Sequence, residues 1–153
     1  MKKQILSIIA MLAILLTASS SYATVNNDKM VNSEEKITKN FTKEFSIAPA
    51  IAQTDEGFMA SSVIDGRKID AAYSKKGNWR YTVVRYGYDN LDKKIVDLVK
   101  KNNYDKYFIS SMEKVEQSGF QPVYFVHLVG ANSIKTIKIT GDNWELTQDL
   151  IKS

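Results

Sequence analysis

The chain has 153 residues and no cysteine, and its 21 basic residues against 17 acidic ones give a formal net charge of +4. The absence of cysteine excludes disulfides and thiolate metal sites, so the fold must be stabilised by packing. Without Lys2 and Lys3 of the N-terminal segment, 19 basic residues stand against 17 acidic ones, and this near balance argues against nucleic acid or an anionic membrane as a partner.

Residues 1–23 have the three-part layout of a secretory signal peptide. Lys2 and Lys3 form a basic start, residues 5–16 (ILSIIAMLAILL) are an apolar run, and Ser21 and Ala23 are small residues at the positions that signal peptidase reads. The apolar run is short for a membrane span, although an uncleaved membrane anchor is the alternative. We therefore expect cleavage after Ala23 and a periplasmic or secreted protein, with no stable membrane insertion once the signal is removed.

A polar leader and a first helix are predicted next. Residues 24–31 have no hydrophobic period, and we interpret them as a flexible leader. Asn32 and Glu35 have the spacing of a capping box, which predicts that the helix starts there. Pro49 predicts that the helix has ended before it, because proline lacks an amide hydrogen. The apolar stripe of this helix recurs every four residues, at Ile37, Phe41 and Phe45.

The hydrophobic period then changes to two, which predicts antiparallel strands over residues 50–53, 58–64, 67–74 and 79–88. Asp65 and Gly66 form the strongest hairpin signal, since both positions of such a turn need positive φ. This turn pairs Ile64 with Arg67 and separates an apolar face from a polar one that carries Ser61, Lys68 and Asp70. The turn at residues 75–78 has no defined length, so the Trp79, Tyr81 and Val83 face could be core or surface.

The second half repeats the order of the first. A helix is predicted to begin at Asp89 or Asn90, with apolar residues at Leu91, Ile95, Leu98 and Val99. Strands are predicted over residues 107–116, 123–129, 134–140 and 144–150. We predict one α+β domain over residues 32–153. It consists of two tandem helix-plus-antiparallel-strands repeats (32–88 and 89–153) that form one sheet, covered on one face by two helices.

Several of these residues follow a known pattern. A helix carrying Phe41 and Phe45 precedes an acidic turn at residues 55–58 (DEGF) and residues 72–79 (AYSKKGNW), in which an aromatic, a polar turn with glycine and a tryptophan follow one another. The pattern resembles the PepSY-like, β-lactamase-inhibitor-like family of exported Bacteroidetes proteins. The second half departs from it, because its helix lacks a terminal Phe and Ile139 stands where an aromatic is typical. The resemblance implies a continuous antiparallel sheet with an open face, like that on which β-lactamase inhibitory proteins bind their enzyme, and it implies no catalytic residues.

No cofactor, metal site or catalytic centre is predicted. His127 is the single histidine and lies in an apolar strand, so we interpret it as a packed or edge residue rather than a ligand. It is also the only imidazole that could activate a serine, and no G-x-S-x-G motif is present. A carboxylate pair from distant positions has no sequence signature, so a small hydrolase is a third functional reading.

Aromatic and arginine residues are the remaining binding candidates, because Trp, Tyr and Arg dominate protein interfaces. We predict a non-enzymatic binding or inhibitory module that recognises a periplasmic or cell-envelope protein through an open sheet face. One alternative is that the aromatics fill the core, and another is a structural or stress-response envelope protein without a ligand site. The predicted binding residues are Trp79, Tyr81, Tyr86 and Trp144, with Arg80 and Arg85.

Overall fold

Eight strands form one antiparallel sheet in which each strand lies beside its neighbours in the chain, from β1 to β8. A computed structural model describes residues 27–152, so the signal peptide and its cleavage site lie outside the described residues. All eight strands were predicted to within one residue at each end. They are β1 (Ala50–Thr54), β2 (Gly57–Ile64), β3 (Arg67–Ser74), β4 (Trp79–Gly87), β5 (Phe108–Gln117), β6 (Val123–Val129), β7 (Ser133–Thr140) and β8 (Asn143–Ile151).

The first helix, α1, spans Asn27–Phe45. The prediction that this helix starts at Asn32 was therefore wrong. Residues 27–31, which were predicted to belong to the flexible leader, are helical. Asn27 is itself a residue type that favours a helix start, and no proline or glycine interrupts the chain between it and Asn32. The helix ends at Phe45 because Ser46 takes the left-handed conformation, with φ of 60°.

The second helix, α2, spans Lys93–Val99 and continues into a wider π-helical turn, Lys100–Tyr104. The predicted start at Asp89 or Asn90 was wrong, since Tyr88–Asn90 is a separate 3₁₀ turn. Asp92 caps α2 instead, its side chain accepting a hydrogen bond from the Lys94 amide at 2.9 Å.

Both helices lie on the same face of the sheet, which we call the covered face. From α1, Ile37 and Phe41 are fully buried against β2, β3 and β4. From α2, Ile95 and Val99 are buried against β5, β6 and β7. Tyr86 packs against both clusters, so the covered face carries one nearly continuous core. We call the other side of the sheet the open face.

The β2–β3 hairpin confirms the predicted register, with Ile64 paired to Arg67 and Ala60 to Ala71. Asp65 and Gly66 have φ of 49° and 73°, as the turn requires.

The next strand contains a bulge that the sequence did not reveal. Ala72 pairs with Tyr81 and Tyr73 pairs with Trp79, so Arg80 is an extra residue in β4. An extra residue reverses the alternation of side chains, so Trp79 and Tyr81 lie on opposite faces of the sheet.

Within residues 27–152, neither helix combines the length and the apolar character that crossing a membrane requires.

Candidate functional site

The open face has no helix of the described chain over it, and strand register arranges its side chains in rows that run across the strands. Three neighbouring rows differ in chemistry. We call them the ionic row, the polar row and the apolar row.

The ionic row crosses the middle of the open face and carries Lys68, Arg85, Glu113, Lys138 and Glu145, with Phe125 of β6 between Glu113 and Lys138. Arg85 is its centre. The guanidinium donates from Nε to Glu113 Oε1 at 3.0 Å and from Nη1 to Asp70 Oδ2 on the adjacent strand. These groups are therefore already paired, and they present a surface whose charges are locally compensated.

The polar row lies beside it and consists of Ser111, His127, Thr136 and Gln148. His127 Nδ1 lies 3.2 Å from Thr136 Oγ1, which in turn donates to Gln148 Oε1 at 3.2 Å. The imidazole thus takes part in a ladder of hydrogen bonds between strands. In the part of the chain that the structure describes, no group of three His, Cys, Asp or Glu side chains is placed to hold a metal ion.

The apolar row occupies the end of the open face across four strands and consists of Phe108, Val129, Ile134 and Leu150, with Tyr88 beside it. The rings of Tyr88 and Phe108 stack with their centroids 4.7 Å apart. Tyr88 is 59% exposed, Phe108 52%, Ile134 36% and Leu150 49%. The two half-exposed rings alone leave about 200 Å² in contact with water. A continuous patch that approaches a few hundred Å² is typical of an interaction site.

Two of the predicted binding residues lie on the open face. Tyr81 and Arg85 are on either side of Val83 on β4 and share its face. Burial raises the pKa of Tyr81, the positive charge of Arg80 opposes this, and the negative charges of Glu56 and Asp70 add to it. The Tyr81 hydroxyl therefore stays protonated at neutral pH and remains available as a hydrogen-bond donor.

The other predicted aromatics, Trp79, Tyr86 and Trp144, lie on the covered face, so they do not share a surface with Tyr81, although Trp79 and Trp144 remain 37% and 44% exposed. Trp79 is placed there by the bulge, and its Nε1 donates to Thr82 Oγ1 at 2.9 Å. Tyr86 is opposite the buried Met112 and packs into the core. Trp144 is opposite the buried Ile139.

Trp144 and Arg80 each make one further contact. The ring of Trp144 meets that of Tyr104 edge-on, with the centroids 5.9 Å apart, so it supports the end of α2. Arg80 is the extra residue of the bulge and pairs with Glu56 at 2.7 Å. The predicted aromatic and arginine residues therefore do not form one surface.

Sequence reasoning missed the apolar row. Its members lie near strand ends, where alternation alone cannot distinguish an exposed residue from a core residue. One signal was available, because a turn over residues 130–133 pairs Val129 with Ile134, as the structure shows. The positions of Phe108 and Leu150 in the same row follow only from the pairing of β5 with β6 and of β7 with β8.

Comparisons with known proteins give structural neighbours only: no family model and no curated protein matches the chain. A BLIP-like protein from Bacteroides fragilis aligns with a TM-score of 0.58 at 15% identity, over 87% of this chain and 92% of that one. A DUF2874 family protein from Bacteroides ovatus aligns with a TM-score of 0.55 at 14% identity, over 84% and 89%. A protein from Bacteroides eggerthii, described as a "putative periplasmic" protein, aligns with a TM-score of 0.55 at 12% identity, over 86% and 90%. The chain has the fold of these Bacteroides proteins over nearly their whole length.

Proposed function

We propose that the protein is a non-enzymatic module of the bacterial periplasm that binds another protein through the apolar row of its open face. The observation that carries the proposal is the apolar row itself. Two stacked rings and two aliphatic side chains are exposed in one line, although the same strands bury their opposite side efficiently.

The rows beside the apolar row suit a protein partner. Protein interfaces combine an apolar centre with a polar rim that remains partly hydrated. The polar row and the ionic row supply such a rim, and their groups are already hydrogen-bonded, so covering them leaves few unsatisfied charges. We place Tyr81 and Arg85 in this rim, where they contribute specificity more than affinity.

The N-terminal segment and the structural neighbours support the same proposal. The N-terminal segment has the layout of a signal peptide with cleavage after Ala23, and one structural neighbour is described as "putative periplasmic". Another is BLIP-like, in line with the resemblance of the sequence to β-lactamase-inhibitor-like proteins. We also propose that the two halves, α1 with β1–β4 and α2 with β5–β8, are tandem copies of one PepSY-like unit.

A pair of matched variants tests the proposal. Phe108→Ala removes an exposed ring of the apolar row, and Phe120→Ala removes an equally exposed ring (55%) from the turn after β5, outside the row. A photo-reactive residue at position 108 should crosslink one envelope protein in the exporting bacterium, and the same residue at position 120 should not. With that partner purified, Phe108→Ala should weaken binding by about 2 kcal/mol, roughly thirtyfold, as expected for an anchor residue.

A second pair lies on one strand. Leu150 is in the apolar row, whereas Leu146 projects to the covered side of β8 with similar exposure. Leu150→Ala should weaken the same complex more than Leu146→Ala. The apolar row is not a binding surface if, in each pair, the variant inside the row and its control weaken the complex equally, or if no protein crosslinks through position 108. A structural role in the envelope then becomes the better explanation.

A further inference from the structure

The covered face contains a cleft of about 290 Å³ between the C-terminal end of α1 and the middle strands. Its floor is apolar and consists of Ile69, Val84 and Tyr86, with Phe45 at one side. The cleft lies on the opposite side of the sheet from the apolar row, so any role it has is independent of the proposed function.

Charged side chains border this cleft at positions of the covered face where apolar residues are expected. Lys114 and Glu116 project to the covered face from β5, an interior strand, beside the buried Val84 and Thr82. Their side chains are 23% and 31% exposed. An ion pair at such a position is commonly no more stabilising than apolar residues of similar volume. Departures of this kind from core patterning are expected at functional sites.

The cleft is lined by two acidic and two basic side chains, but both carboxylates, those of Glu44 and Glu116, lie beside Lys114. Lys114 Nζ is held by Glu116 Oε1 at 2.6 Å. Glu44, at the end of α1, faces the same pair, and no cation among the described residues lies within ion-pair distance of it. Burial and the nearby charge of Glu116 raise the pKa of Glu44, while Lys114 opposes the shift. The remaining cation of the cleft, Arg67, pairs with Asp65 at 3.3 Å. Two carboxylates therefore share one ammonium group on this side of the cleft.

We propose that the cleft binds a small apolar amine, with its ammonium group between the carboxylates of Glu44 and Glu116 and its body on the floor formed by Ile69, Val84 and Tyr86. A second cation there compensates the unpaired carboxylate, and an apolar body displaces water from the floor. At about 30 Å³ for each water-sized group, the volume accommodates a ligand of roughly ten non-hydrogen atoms.

Three probes of similar shape separate charge from apolar character: phenethylammonium, hydrocinnamate and phenethyl alcohol. Each is titrated at neutral pH into the exported protein, labelled for NMR at its methyl groups. We expect the amine to shift the Ile69 and Val84 methyl signals in a saturable way, with a dissociation constant in about the millimolar range for so small a ligand. The acid and the alcohol should bind at least about tenfold more weakly, since each lacks the charge-assisted hydrogen bonds.

The matched variants are Glu44→Gln and Glu34→Gln, which remove one negative charge each from α1, the first at the cleft and the second about three turns away from it. Glu44→Gln should lower the affinity for the amine about tenfold, and Glu34→Gln should leave it unchanged. Equal binding of all three probes would overturn the proposal in favour of an unselective apolar cleft. Preference for hydrocinnamate would overturn it in favour of an anion site at Arg67, and the absence of methyl shifts would show that the cleft binds none of these ligands.

Discussion

Phe41 offers the clearest test of how α1 is held on the sheet. Its side chain is fully buried, its ring centroid lies 4.7 Å from that of Phe45, and it belongs to the cluster formed with β2, β3 and β4. Few of the described hydrogen bonds join α1 side chains to the strands and turns beneath the helix. One of them runs from Lys36 Nζ to Asn78 Oδ1 at 2.7 Å. The attachment of α1 therefore depends mainly on apolar burial, and Phe41 is its largest fully buried side chain.

Phe41→Ala should lower the free energy of unfolding by about 3–5 kcal/mol, because it removes the transfer free energy of the ring and leaves a cavity that the rigid sheet cannot fill. For a domain of this size that corresponds to a fall of roughly 10–20 °C in the thermal midpoint. The assay is urea unfolding followed by circular dichroism, with a thermal melt in parallel. Phe120→Ala, at an exposed position, should stay within about 0.5 kcal/mol of the parent. Equal stability of the two variants would refute the packing of α1 through Phe41.

Two further predictions concern the first half of the sheet. Gly57 has φ of +153°, and a Cβ there would lie 2.0 Å from the Tyr73 carbonyl oxygen. Gly57→Ala should therefore lower the free energy of unfolding, measured in urea, by more than about 2 kcal/mol. The control is Gly87→Ala, which should be nearly neutral because no atom lies within 4 Å of the added carbon. Burial and the charge of Glu44 raise the pKa of Tyr73 from 10.0 to about 12, so the folded state disfavours the phenolate. The contribution of Tyr73 to stability is therefore fully present below pH 10 and is lost as the pH rises towards 12. Tyr73→Phe should lose less stability between pH 9 and pH 11 than the parent, and an identical loss would show that Tyr73 does not cause it.

Local signals predicted much of the fold. Asp65 and Gly66 determine the β2–β3 turn by their own conformational preferences, and strand alternation then places every pair of that hairpin. The strands were recognised because apolar residues recur in runs of five to ten positions that polar turns separate. The start of α1 was placed five residues late, since Asn27 and Asn32 are both residue types that begin helices.

The functional surface depended on information that a local pattern does not contain. One extra residue at Arg80 reverses the face of Trp79, and nothing in the sequence of β4 distinguishes that bulge from a longer turn. Trp144 and Tyr86 have the residue type of interface anchors, and strand pairing places both on the covered face, where Tyr86 packs into the core and Trp144 remains 44% exposed. Residue type alone therefore does not show which aromatics share a surface, because the face of each is decided by the pairing of distant strands.

The strictly sequential order of the strands has a consequence for how the chain folds. Every strand pairs with the one synthesised just before it, so no pairing has to wait for a segment at the far end of the chain. The longest connection, between β4 and β5, contains α2, which shortens the distance that the backbone must close. A chain that emerges amino end first can thus add strands one at a time to a growing edge, and folding should be fast for a sheet of this size because its contacts are local in sequence. Among the described strands β8 has a single neighbour, so deleting β8 and then β7 should remove strands singly before the core beneath α1 is disturbed.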